Sequence, residues 1–226
     1  MIKDSQTTLE SYELSQISDA NLTIQGGKFN VINSYQGSPK SFTVGGGSFV
    51  IDGAEVDMRG AVLATRTSTS NANAVITLKN GATLNAGTLE LYTYDGISNT
   101  TIFNIESGSV ANVETMGSYG LGNKGGTINV DNATLNIADN FIQAENSGSQ
   151  VYTTNLNVTN GGKISVKGAI DVSSAVINNG TVIANEIVVK SGRTLSVIGA
   201  SDVTADLLTV HDGSSVSISE DATLNI

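Results

Sequence analysis

The chain contains no cysteine and no tryptophan, a single proline, Pro39, and a single histidine, His211, among 226 residues. Without cysteine there is neither a disulfide framework nor a thiolate metal site, so stability has to come from strand pairing and side-chain stacking. Aromatic residues are only 5% of the chain, too little volume for a thick globular core. Positive charge is scarce as well: 11 Lys and Arg face 21 Asp and Glu, leaving a net charge of -10. No basic cluster is present, which argues against nucleic acid and anionic lipid as partners, because both require concentrated positive charge. No apolar run reaches the roughly 18 residues that span a bilayer, so direct membrane insertion by this chain is not expected. The first thirty residues lack the basic-then-apolar order of a signal peptide, and export would rely on a signal outside these residues.

What the chain does have is 25 glycines, abundant Asn, Ser and Thr, and 39% apolar residues in strict alternation, too apolar for a disordered segment. An apolar residue followed by an Asn-Gly turn or its chemical equivalent returns eight times: Ile24-Gln25-Gly26-Gly27, Val44-Gly45-Gly46-Gly47, Leu78-Lys79-Asn80-Gly81, Ile105-Glu106-Ser107-Gly108, Val130-Asp131-Asn132-Ala133, Val158-Thr159-Asn160-Gly161, Val189-Lys190-Ser191-Gly192 and Val210-His211-Asp212-Gly213. Beside the turns, period-2 triplets such as Leu22-Thr23-Ile24, Leu135-Asn136-Ile137, Ile164-Ser165-Val166, Leu195-Ser196-Val197 and Val216-Ser217-Ile218 read as half-buried strands. A strand repeated at this interval is the signature of a solenoid. The predicted fold is therefore all-β, a parallel β-helix with protruding loops.

The apolar anchors before the turns are unevenly spaced, most closely from Ile24 to Val44 and from Val189 to Val210. These shortest gaps set a basic rung of roughly twenty residues, with rungs about 4.8 Å apart. Asn178-Asn179-Gly180 is read as a second corner of the rung. The longer gaps hold polar inserts at 65–74, 92–101, 116–126 and 143–154. The last three begin at similar distances past Leu78, Ile105 and Val130 and are expected to share one corner, while the first begins further past Val44 and fits less well. Residues 1–20 read as an N-terminal cap or flanking segment, in which 9–17 suits a helix, a strand or an end cap. Residues 21–226 read as one solenoid domain, and because Ala222-Thr223-Leu224-Asn225-Ile226 duplicates Ala133-Thr134-Leu135-Asn136-Ile137, the domain is expected to be a piece of a longer protein. The expected interior consists of Val130, Leu135, Val158, Ile164, Val189, Leu195, Val210 and Val216, with Phe29, Phe42, Phe49, Phe103 and Phe141 also in strand positions. Tyr92, Tyr94, Tyr119 and Tyr152 fall in the inserts and are the candidate partner-binding residues, since tyrosine presents a rigid apolar face with a hydroxyl at its tip.

Catalytic chemistry finds little support. His211 stands beside Asp212, Ser214 and Ser215, but sequence adjacency within one turn is not the geometry of a triad. The acids are scattered, Asp202 and Asp206 being the nearest approach to a carboxylate pair, and Arg59, Arg66 and Arg193 fall in different rungs, where lyases and glycosidases need clustered groups. The Gly-rich calcium-binding nonapeptide is absent. Thr65-Arg66-Thr67-Ser68-Thr69 is confined to one insert, whereas an ice-binding face repeats its Thr array on every rung. Neither cofactor nor metal is expected, and the chain is not expected to be an enzyme.

The turns Asn80-Gly81, Asn160-Gly161 and Ser191-Gly192, with second steps such as Lys167-Gly168-Ala169-Ile170-Asp171-Val172, resemble the repeats of bacterial autotransporter passenger domains of the self-associating and diffuse-adherence adhesin type. The resemblance covers residues 20–226 and is one of pattern and composition. It implies a right-handed β-helix displayed at the bacterial cell surface, anchored to the outer membrane or secreted. The membrane barrel of that family is not among these residues, and Gly37-Ser38-Pro39 does not reproduce the Gly-Asp-Ser-Gly motif of its protease branch. The function expected is an adhesin-like structural module that binds a host glycan, a matrix protein or a second copy of itself. The alternative is a carbohydrate-active β-helix, a polysaccharide lyase or glycosidase, or a tail-spike-like protein.

Overall fold

The computed structural model describes residues 1–11, 15–33, 41–67, 73–93, 101–117, 125–142 and 153–226. The chain is all-β, and its strands pair in parallel. Each rung carries three strand segments, which stack on their counterparts in neighbouring rungs to make three faces. The first face holds residues 47–52, 74–79, 101–106, 126–131, 154–159, 174–178 and 194–198. After a tight turn the chain enters the second face, with residues 55–58, 83–86, 110–113, 134–137, 163–166, 181–184 and 202–205. It then bends onto the third face, which includes 62–67, 88–93, 169–172, 186–189 and 207–210.

Alternation in sequence becomes alternation of side. Ala74–Lys79 and Thr101–Glu106 each read buried, half-buried, buried, half-buried along their length. Stacking then turns every inward position into a ladder. Ile24, Ile51, Leu78, Ile105, Val130, Val158, Ile177 and Val197 follow one another rung by rung on the first face, each at most 1% exposed. Val56, Leu84, Ala111, Leu135, Ile164, Val182 and Val203 follow one another likewise on the second, each at most 3% exposed. The five phenylalanines are all buried, Phe42 and Phe49 with ring centroids 5.3 Å apart.

The turn between the first and second faces explains the repeated Asn-Gly. Asn80, Ser107, Asn160 and Asn179 all have positive φ, between 52° and 56°, and Gly81, Gly108 and Gly161 follow with φ of 72° to 81°. Two successive left-handed residues are what Asn-Gly supplies at least cost. The freed amides bond across rungs: Gly81 N–H donates to the Ser107 carbonyl at 3.1 Å and Gly161 N–H to that of Asn179 at 2.6 Å.

The corners differ from the expected assignment in four respects. Ile51-Asp52-Gly53 is a genuine member of this corner, pairing with Ile24 and Leu78. Val44, Val189 and Val210 are not, because Val44 pairs with Ile17 and Val189 with Val210 on the third face, so their Gly-rich turns belong to the corner between the third and first faces. Asn178-Asn179-Gly180 is no second corner; it stacks on Asn160-Gly161. Measured from Ile51 rather than Val44, the insert at Thr65 begins as far past its anchor as the Tyr92 insert does past Leu78, and it joins the other three. The described residues break off on the third face after Thr67, Thr93, Gly117 and Ile142, and the first face resumes in common register at Ala74, Thr101, Gly126 and Thr154. Rung length follows from this. The anchors Ile24, Ile51, Leu78, Ile105, Val130 and Val158 mark off long rungs, whereas Ile177, Val197 and Ile218 close successive short ones.

Two core expectations also change. Val210 is 48% exposed and Val216 only partly buried. Both are in the expected register, on Val189 and Leu195, but among the described residues no further side chain stacks on their other side. At the opposite end, Ile2–Ser11 pairs in parallel with residues 24–33, and the 9–17 segment is strand through Ser11 and again from Ser15.

Candidate functional site

The outward side chains of the second face include one column of amides. Asn85, Asn112 and Asn136 occupy the same register in consecutive rungs, followed by Ser165. Asn112 Nδ2 donates to Asn85 Oδ1 at 2.9 Å, and Asn136 Nδ2 to Asn112 Oδ1 at 2.9 Å. A second ladder crosses the first face, where Asn129 Nδ2 donates to Asn104 Oδ1 and Asn157 Nδ2 to Asn129 Oδ1, both at 2.8 Å. Each carboxamide is thereby held in one orientation.

The first ladder floors a groove of about 370 Å³ that runs along the rod. Its wall is the corner between the second and third faces, where the first residue past each second-face segment is Arg59, Gly87, Glu114, Ala138 and Lys167, continued by Asn185 and Asp206, and where exposed Asp139 follows Ala138. Long charged side chains alternate with small ones in the first five. Gly87 is dictated by packing, since a Cβ there would collide with the Arg59 carbonyl oxygen. Small residues at 87 and 138 open the groove, and Arg59, Glu114 and Lys167 border it.

Arg59 is anchored by a bidentate pair with Asp57, from Nε to Oδ1 at 3.1 Å and from Nη2 to Oδ2 at 2.5 Å. These hydrogen bonds hold the Asp57 carboxyl below the usual carboxylate range and raise the Arg59 guanidinium above its ordinary value. Glu114, Lys167 and Asp206 are exposed.

Of the four candidate tyrosines, Tyr92 alone lies among the described residues. Tyr92 lies near the end of Thr83–Thr93, half-buried and in register with Arg66; Tyr94, Tyr119 and Tyr152 lie outside the described residues. The groove was the feature sequence reasoning missed. Its signal was present in Leu84-Asn85-Ala86, Ala111-Asn112-Val113 and Leu135-Asn136-Ile137, an Asn between two apolar residues shortly after each turn. His211 is exposed, and the Ser214 hydroxyl donates to the backbone carbonyl of His211, closing the turn. Asp202 and Asp206 are both exposed, Asp202 accepting from Asn225 Nδ2 at 3.4 Å. Among the described residues no group of three or more His, Asp or Glu side chains is placed to hold a metal ion.

No family model, no curated protein and no solved structure matches the chain.

Proposed function

We propose that this chain is an adhesin-like structural and binding module of a cell surface or of secreted material, acting through adhesion and self-association. One observation carries the reading. Among the first residues of that corner the charges run Arg59, Glu114, Lys167, Asp206, positive and negative in turn, with neutral Gly87, Ala138 and Asn185 between them and exposed Asp139 beside Ala138. About Ala138 the row is antisymmetric: Glu114 and Lys167 lie one rung to either side, Arg59 and Asp206 three. A second copy laid antiparallel, with its Ala138 opposite the first, sets Glu114 against Lys167 and Arg59 against Asp206, each pair twice. Such a contact is isologous and closes on itself.

Magnitudes define how it would act. Exposed ion pairs contribute roughly 0–1 kcal/mol each, and Arg59 is already held by Asp57, so four give less than about 4 kcal/mol, a dissociation constant weaker than about 1 mM. One pair of molecules barely associates; many copies displayed on two surfaces hold firmly through multivalency. The scattered acids and hydrogen-bonded amide ladders also suit a binding surface better than hydrolytic chemistry, which needs paired carboxylates.

The test is a charge swap on protein-coated beads. Lys167→Glu should abolish clustering and Glu114→Lys should do the same, while the double swap restores it. Clustering should also weaken as salt rises from roughly 50 to roughly 500 mM, because exposed charges are then screened. Clustering that survives Lys167→Glu at low salt rejects the antiparallel contact.

A further inference from the structure

The groove beside the charged corner is a site in its own right. We propose that it binds a neutral, linear polysaccharide laid along the rod over the Asn85, Asn112 and Asn136 ladder. The proposal rests on the reading of the chain as a binding module and adds the chemical class of a soluble ligand.

The carboxamides define what would be recognised. Each has two donor hydrogens and two acceptor lone pairs. The ladder uses one N–H each from Asn112 and Asn136, and one acceptor position each on Asn85 and Asn112. Every carboxamide keeps at least one donor and one acceptor, fixed in place by its neighbours and repeated about every 4.8 Å. A ligand that satisfies this array must both donate and accept at short intervals. Hydroxyl groups do so. Carboxylates and phosphates accept only.

Charge and spacing narrow the class further. Glu114 projects at the middle of the groove, between Arg59 and Lys167 at its ends, and the protein carries a net charge of -10, so a polyanion meets a like charge at the centre. An extended peptide repeats its outward groups about every 6.8 Å, out of step with a rung of about 4.8 Å. A chain of pyranose rings carries hydroxyls on both edges of every ring and meets the ladder without a fixed long period. From the rung of Arg59 to that of Lys167 the wall spans about 19 Å, room for several rings. The volume of about 370 Å³ falls within the size of ordinary ligand clefts. Because the same wall forms the self-association contact, sugar occupancy and pairing of two copies exclude each other.

The experiment is a titration of the dilute, monomeric protein with cellohexaose, maltohexaose and chitohexaose, read from the side-chain amide NMR signals of Asn85, Asn112 and Asn136. A saturable shift of these signals with at least one of the three is expected. Ala138→Trp fills the groove from an exposed position while leaving the ladder residues unchanged and should weaken that binding at least tenfold; a thermal melt verifies that the variant is folded, and Ala138→Arg serves as the second blocking variant. Absence of a saturable shift with all three sugars overturns the proposal, as does binding unchanged in both blocked variants or tighter binding of hexagalacturonate, the anionic counterpart. Binding is read on the monomer, so its failure leaves the bead-clustering result standing, and a failed charge swap leaves the sugar titration standing. If both readings hold, the bound hexasaccharide should disperse clustered beads.

Discussion

Val158 stacks between Val130 and Ile177 in the interior, although the chain that joins it to Val130 is much longer than the chain that joins it to Ile177. The ladder is indifferent to how much chain lies between its members, because the strands before and after the extra residues keep their register. Burial at Val158 is complete. A charge there would have no partner, at a cost of several kcal/mol. Val158→Asp is therefore expected to abolish cooperative unfolding, while Thr159→Lys, half-buried on the outer side and in register with Asp131, should shift the melting temperature little. Circular-dichroism melts of the two variants compare them directly, and equal tolerance would refute the register.

Two glycines separate packing from backbone conformation. At Gly81 a Cβ meets nothing within 4 Å but φ is +72°, so Gly81→Ala should cost about 1–2 kcal/mol through strain alone. At Gly87 the obstacle is backbone, the Arg59 carbonyl oxygen standing where an added methyl carbon would go, and Gly87→Ala should cost at least as much and shift the wall of the groove. Urea denaturation gives both values. A neutral Gly87→Ala would mean that the corner is looser than its geometry.

The amide ladder has a pH signature. Asn112→Asp places a carboxylate oxygen against Asn85 Oδ1, replacing a donor with an acceptor, at a cost of about 1–3 kcal/mol at neutral pH. Once protonated, the new carboxyl can donate again. Its folded-state pKa is then raised, so the variant should regain stability relative to the parent as pH falls through that value, the reverse of the usual acid destabilisation. Melting temperatures of variant and parent at neutral and acidic pH decide the matter, and a constant difference between them counts against the ladder.

Asp57 titrates in the opposite sense. Its carboxyl is held low by Arg59, so whatever stability the pair contributes is present above the ordinary carboxylate range and is lost as pH falls through the depressed value. NMR titration should find the Asp57 midpoint below that of the exposed acids, and Arg59→Met should return it upward. An unmoved midpoint in Arg59→Met would assign the depression to another cause.

Legibility followed physical range. The period-2 alternation of Leu135-Asn136-Ile137 or Ile164-Ser165-Val166 is a local property, and it placed Leu135, Ile164 and their neighbours in the interior correctly. Asn80, Asn160 and Asn179 marked real turns because few other residues accept a positive φ. What a turn could not reveal was its corner. Val44-Gly45-Gly46-Gly47 and Ile51-Asp52-Gly53-Ala54 obey the same local chemistry, and only lateral pairing, Ile17 with Val44 and Ile24 with Ile51, tells them apart.

The sequence by itself determined that the chain is a parallel β-solenoid, since alternation fixes which side of each strand is buried and Asn-Gly fixes where it bends. The tertiary structure decided which residues become neighbours across rungs. Asn85, Asn112 and Asn136 are far apart along the chain, and nothing local relates them; they become one hydrogen-bonded floor only because the second-face strands stack in register rung on rung. The alternating row from Arg59 to Asp206 arises in the same way, because stacking, and not proximity along the chain, sets the distance between charges.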